Sequence, residues 1–119
     1  MQKYNFSYDK EQDDLFLYNP RSKSKGSVEM GKLILDFDSK KNLVGIQLMN
    51  AVQLLENLAG ITKDTIKKLL TDLKECKVDI KTKNNLLIVK IFLIGHDSEI
   101  SPVLSMPLLT ETSPALAYA

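Results

Sequence analysis

Apolar and polar residues alternate most regularly between Lys32 and Ala51, and the rest of the chain is read around that stretch. Leu33, Leu35 and Phe37 fall on one side of a strand and Asp36 and Asp38 on the other, with Ile34 the exception. After Ser39-Lys40-Lys41-Asn42, the residues Val44, Ile46 and Leu48 resume the period of two. Setting Asp38 against Leu43 pairs Phe37 with Val44, Leu35 with Ile46 and Leu33 with Leu48, all on one face. A slip of one residue would turn one strand's apolar set to water, so burial specifies this register. Gly45 then lies opposite Asp36 on the other face, where a strand glycine marks a bulge or a close backbone approach.

The same signals predict the remaining elements. Aromatic residues at alternate positions in Tyr4-Asn5-Phe6-Ser7-Tyr8 predict a strand, and Leu15 to Tyr18 a second one after the acidic turn Asp9 to Asp14. A polar loop from Asn19 to Gly26 leads to a short strand, Ser27 to Met30, which Gly31 ends. Asn50 is the expected N-cap of a helix whose apolar face is Ala51, Leu54, Leu55 and Leu58, and Gly60 is its expected terminator. Thr62 is placed to cap a second helix, with Asp64 in its first turn and Ile66, Leu69, Leu70 and Leu73 on its apolar face. Cys76 to Thr82 alternates again. An Asn84-Asn85 turn would set Val78 against Ile91, Ile80 against Val89 and Asp79 against Lys90, a register favoured by the opposite charges. Leu86 to Ile94 is apolar on both faces, as expected for a central strand covered on both sides, the second cover being another subunit. Pro102 and Pro107 reduce the segment Ile100 to Thr110 to an edge strand or an irregular piece.

The expected fold is therefore α+β: a mainly antiparallel sheet of roughly six to eight strands with two helices packed on one face. With 119 residues the chain is expected to be one domain. Within it, 4–59 supplies hairpins and the first helix, 61–110 the second helix and the C-terminal strands, and 111–119 a loosely held tail.

Composition narrows the partners. Sixteen basic and fifteen acidic residues leave a net charge of +1, which argues against strong non-specific attraction to nucleic acid or to an anionic membrane. The single cysteine, Cys76, excludes an intrachain disulfide and suits a reducing cytoplasm. No charged-then-apolar leader opens the chain, and the longest apolar run is too short to span a bilayer as a helix, so a soluble protein is expected.

Two motifs carry a resemblance. Tyr8-Asp9, followed by Asp13, Leu15, Phe16 and Leu17, resembles the Tyr-Asp-x-x-x-Asp-x-Leu-Tyr-Ile opening of a family of small prokaryotic proteins, domain of unknown function 2283. Ile34 to Asp38 and Asn42 to Ile46 resemble its second signature, Leu-Asp-Tyr-Asp followed by Asn-Leu-Val-Gly-Ile-Glu, with Asp36, Asp38 and Gly45 at motif positions. The similarity spans residues 4–59. It departs at Gln47, where the family has glutamate, and at Lys41, where the turn has glycine. The resemblance implies a small antiparallel sheet with a helix and no established activity; for some members it implies an antitoxin-like role beside a small neighbouring protein.

Candidate chemistry is sparse. The acidic turn lacks the glycine and the bidentate glutamate of a calcium loop, so it reads as a solvated turn. Asp36 and Asp38 would be the acid and base of an enzyme, but they also fit the polar side of a half-exposed strand. His96 beside Asp97 and Glu99 has no further ligand motif, and Cys76 sits on an apolar strand face. No catalytic, metal or cofactor site is therefore expected. Arg21, Lys23 and Lys25, with Lys40 and Lys41, are the candidate nucleic-acid or phosphate contacts, and Tyr4, Phe6, Tyr8, Phe16 and Tyr18 lie in neighbouring strands. The near-neutral charge and the alternation of the aromatics fit hairpin packing better. The favoured function is a non-enzymatic interaction module that forms a homodimer or meets a protein partner. A weak nucleic-acid-binding or antitoxin-like regulator is the alternative, and an enzyme using Asp36 and Asp38 the least favoured.

Overall fold

The structure is a computed structural model and describes residues 1–107. The expected loose tail, 111–119, lies outside the described residues. Nine strands and two helices follow in the order β1 (Gln2–Asp9), β2 (Asp14–Tyr18), β3 (Gly26–Met30), β4 (Leu33–Phe37), β5 (Leu43–Met49), α1 (Ala51–Ala59), α2 (Lys63–Thr71), β6 (Leu73–Lys83), β7 (Leu86–Gly95), β8 (Glu99–Ile100) and β9 (Val103–Pro107). Every pairing is antiparallel, in the order β3-β4-β5-β2-β1-β6-β7-β8, with β9 also on β7. The α+β class is as expected. The strand number reaches nine because the segment around Pro102 forms two short pieces on β7: the Pro102 carbonyl accepts the Ile91 amide at 2.9 Å between them.

Strand β1 joins the two halves of the sheet. Its residues Asn5 to Asp9 pair with β2, while Gln2 to Tyr4 pair with β6. The buried Tyr4 hydroxyl donates to the Leu43 carbonyl at 3.0 Å, tying this junction to the start of β5. One hydrophobic core draws on the inner faces of both halves (Leu15, Leu17, Leu35, Ile46 and Leu48; Val78, Val89, Ile91 and Leu93) and on Leu55, Ile66 and Leu69 of the helices.

The C-terminal hairpin has the expected register, Val78 with Ile91, Asp79 with Lys90 and Ile80 with Val89. Asn84 and Asn85 both have positive φ, 50° and 65°, as a two-residue primed turn demands. The β4–β5 hairpin departs by one residue at its tip. Leu33, Leu35 and Asp36 meet Leu48, Ile46 and Gly45, but Phe37 meets Leu43 rather than Val44. The reason is the turn: Asp38 N–H donates to the Asn42 carbonyl at 2.9 Å and Lys41 N–H to the Asp38 carbonyl at 3.0 Å, closing a loop over Ser39-Lys40-Lys41. That closure holds Asp38 opposite Asn42, so Val44 becomes the extra residue of a bulge and its carbonyl is free to accept the Asn19 amide at 2.9 Å.

The helix ends bring a second correction. Asn50 makes no side-chain cap bond and is itself left-handed, at φ 52°. Thr62 is extended, as a capping residue should be, but its hydroxyl meets the Thr65 hydroxyl instead of a helix amide. On α1 the buried residues are Ala51, Val52 and Leu55, and Leu58 is exposed, so the apolar face is rotated from the expected one. Gly60 ends α1 in the left-handed conformation, and its amide reaches the Glu56 carbonyl.

Candidate functional site

The first motif builds a clasp. Asp13, left-handed at φ 55°, directs its carboxylate to the start of α1. That carboxylate accepts the Tyr8 hydroxyl at 2.7 Å and the Val52 amide at 3.2 and 3.3 Å, and the Asp13 carbonyl accepts the Ala51 amide at 2.9 Å. A residue of the β1–β2 turn thus caps a helix 39 positions away, taking the role that Asn50 was expected to fill. Burial first, and then the Asp13 carboxylate, raise the Tyr8 hydroxyl's pKa and hold it as a donor. Asp9 shapes the same turn by accepting the Glu11 and Gln12 amides, and Leu15 is wholly buried beneath it. Two of the acidic turn's carboxylates, those of Asp9 and Asp13, are therefore committed to backbone and tyrosine donors.

The second motif builds the outer face of the N-terminal half-sheet. Two rows cross it: Asn5-Tyr18-Gly45-Asp36-Ser27 and Ser7-Phe16-Gln47-Ile34-Glu29. Asp36 accepts the Ser27 hydroxyl and lies across Gly45, where an added Cβ would come within 2.7 Å of Asp36 Oδ2. Gly45 is thus a close-approach glycine, and the bulge sits beside it at Val44. Asp38 faces elsewhere and accepts the Lys40 and Asn42 amides, each at 2.9 Å. The Asn42 amide leads in holding its carboxyl below the usual carboxylate range. The two aspartates have separate donors, an arrangement unlike a shared-proton pair.

Topology gathers the basic residues. Because β2 and β3 are separated by β5 and β4, the loop carrying Arg21, Lys23 and Lys25 must cross the end of the sheet. The β4–β5 turn, with Lys40 and Lys41, lies at that same end. Asn19 organises the loop: its side chain accepts the Arg21 amide at 3.0 Å and its carbonyl the Ser22 amide at 3.3 Å. The Lys25 amide then meets the Phe37 carbonyl at 2.7 Å, starting the β3 pairing. The acidic turn Asp9 to Asp14 is at the opposite end, where Lys10 and Lys32 also lie, while Asp38 stands among the cations of the basic end.

Beside the basic loop, the outer face carries Phe16 and Tyr18, stacked with ring centroids 5.0 Å apart, and Phe16 is 36% exposed. Of the five aromatics weighed for stacking, Tyr4 is buried, and Phe6 and Tyr8 pack against the core. Alternation places Phe16 and Tyr18 opposite the buried Leu15 and Leu17, so parity within β2 was the signal that separated the aromatics.

His96, Asp97 and Glu99 are all exposed around a turn closed by the Gly95 amide on the Ser98 carbonyl, at 2.8 Å. Among the described residues no three His, Cys, Asp or Glu side chains converge to hold a metal. Cys76 is wholly buried opposite Tyr4, and burial, with Glu75 adding to it, pushes its pKa up to about 12. Such a thiol is a poor nucleophile at neutral pH. No helix of the described residues is long and apolar enough to cross a membrane.

Comparison with known proteins agrees with both motifs. A family model described as Protein of unknown function (DUF2283) matches residues 5–51. An uncharacterised protein of Methanocaldococcus jannaschii is 31% identical over 101 residues, covering 82% of this chain and 80% of the relative. The chain belongs to the DUF2283 family. The matched segment runs from β1 to Ala51, the first residue of α1, and so ends where the Asp13 clasp closes. Within that segment Tyr8, Asp9, Asp13, Leu15, Asp36, Asp38 and Gly45 all have folding roles. Lys41 is left-handed at φ 67°, a conformation in which a glycine would be free of strain. No solved structure matches the chain at a significant level.

Proposed function

We propose that the chain is a non-enzymatic interaction module that self-associates through the outer face of β7 and β9. The supporting observation is a row on that face that is apolar except for the exposed Lys90, whose ammonium lies over the Phe92 ring, 5.1 Å from its centroid. Leu86 and Val103 are 39% and 47% exposed, and Ile88, Phe92 and Ile94 are half-buried and stand outside the core. Charged neighbours on β6 edge the row, Lys81 beside Ile88, Lys77 beside Phe92 and Glu75 beside Ile94. Exposed apolar residues bordered by charge are a feature of protein interfaces, and the same patch on two copies forms a closed twofold pair. The edge strand β3 is a weaker candidate, because it offers only five residues, most of them polar or half-buried. The separate engagement of Asp36 and Asp38 supports the non-enzymatic part of the reading, and the one buried thiol suits a cytoplasmic setting.

Sedimentation velocity of the wild type beside Ile88→Lys and Phe92→Lys tests this. The wild type should sediment as a dimer and the variants as monomers with an unchanged far-ultraviolet spectrum. A variant that stays dimeric would move the interface elsewhere, and a monomeric wild type would leave the face to a different protein partner.

A further inference from the structure

The geometry points to a second binding surface, on the opposite half of the sheet: a site for single-stranded nucleic acid in which bases stack on Phe16 and Tyr18 and phosphates lie along the loop from Arg21 to Lys25. Two independent observations meet there. The first is a cleft of about 170 Å³ shared by the rings and the loop, lined by Phe16, Tyr18, Ser22, Ser24, Asp36 and Gly45 among others. Gly45 has no side chain, and the Asp36 carboxylate lies over it, so the aromatic pair is bordered across Gly45 by a carboxylate and not by a bulky apolar group. The second is the charge. Arg21, Lys23 and Lys25 are exposed and form no salt bridge among the described residues, and Lys3, which follows Gln2 on β1, adds a cation near Arg21 along a neighbouring cleft of about 370 Å³.

The chemistry matches the two parts of a nucleotide. A stacked pair presents a π-face to any base, and Ser22 and Ser24 offer hydroxyl donors at the step from base to phosphate. Cations on a loop fixed by the Asn19 turn supply the phosphate contacts. A duplex hides its base faces, so it has only the electrostatic part to offer this surface. The Asp36 carboxylate closes the far side of the cleft and sets the limit of the site, since phosphate is excluded from it. None of these residues lies on β7 or β9, so the site does not depend on how copies associate.

Fluorescence anisotropy with labelled single-stranded oligo(U), oligo(dT) and a duplex of matched length tests the surface at several salt concentrations. The single strands should bind more tightly than the duplex. The Arg21→Ala/Lys23→Ala/Lys25→Ala protein should bind more weakly and show a log–log salt slope smaller by roughly two, given about 0.7 per phosphate contact on single strands. Phe16→Ala should weaken binding by roughly tenfold at an unchanged slope, as expected for one lost stacking contact. The loop variant should keep the wild-type unfolding midpoint, and Phe16→Ala, which loses its stack on Tyr18, should lower it modestly while staying folded at the assay temperature; both midpoints are measured alongside. Tighter binding of oligo(U) than oligo(dT) would identify RNA as the ligand, and the reverse order DNA. Absence of binding by either strand at low salt would overturn the proposal, as would equal binding of the duplex or indifference to Phe16→Ala.

Discussion

Replacing Asp13 by alanine should be among the most destabilising changes available at a half-exposed position. Three losses coincide. The α1 amide of Val52 loses its carboxylate acceptor, worth about 1 kcal/mol for a helix cap. The half-buried Tyr8 hydroxyl loses a charged partner at 2.7 Å, which costs about 1–2 kcal/mol. Alanine must also take up φ 55°, which adds about 1 kcal/mol that aspartate partly avoids. The three share one residue and are not strictly additive, so the expected total is about 3 kcal/mol, against a typical domain stability of about 5–15 kcal/mol. Urea unfolding followed by far-ultraviolet circular dichroism measures it, since the chain has no tryptophan. The midpoint should fall with the m-value unchanged. Asp13→Asn keeps an acceptor and tolerates the left-handed backbone, so it should lose only about 1 kcal/mol. In a cycle with Tyr8→Phe the two losses should overlap. An Asp13→Ala protein within about 0.5 kcal/mol of wild type, the range of an ordinary surface change, would refute the clasp.

Other consequences follow from the same geometry. Lys41→Gly should stabilise the chain by about 1 kcal/mol in the same urea assay, because it relieves a left-handed lysine at φ 67°. Gly45→Ala should cost about 1–3 kcal/mol by driving a methyl against Asp36, and Asp36→Ala in the same chain should recover part of the loss, because the nearest atom, at 2.7 Å, is then gone. Stability should decline in alkali. Cys76 and Tyr4 rise from 9.0 and 10.0 to about 12 on folding, chiefly through burial, so their contribution is complete below pH 9 and is lost as pH climbs toward 12. Asp38 works in the other direction: its lowered pKa adds stability above the ordinary carboxylate range, lost as pH falls through it, and a urea midpoint series across pH reads both limbs.

How much of this was visible in the sequence depends on how far each interaction reaches. The Asn84-Asn85 hairpin was legible down to its register, because apolar alternation and the Asp79–Lys90 pair agree on one alignment. The β4–β5 hairpin was legible except at its tip, where the Asp38-centred turn, and not the strand pattern, decides that Phe37 meets Leu43. Asn50 has the composition of an N-cap, yet the cap comes from Asp13, and no local window contains both ends of a bond 39 residues long. The motif Tyr8-Asp13 was recognisable as a pattern without its reason being readable. Each basic residue is plain in the sequence, but their assembly at one end of the sheet follows from the β2-to-β3 crossing, a topological fact. Similarly, the second face of Leu86 to Ile94, apolar but for Lys90, was plain from the sequence.

That association state is the most direct test of the proposed function. Native mass spectrometry of the full chain, sprayed across a dilution series, should give a dominant species of twice the 13.4 kDa chain mass that dissociates only at low concentration. A single species of 13.4 kDa at every concentration would contradict self-association through β7 and β9.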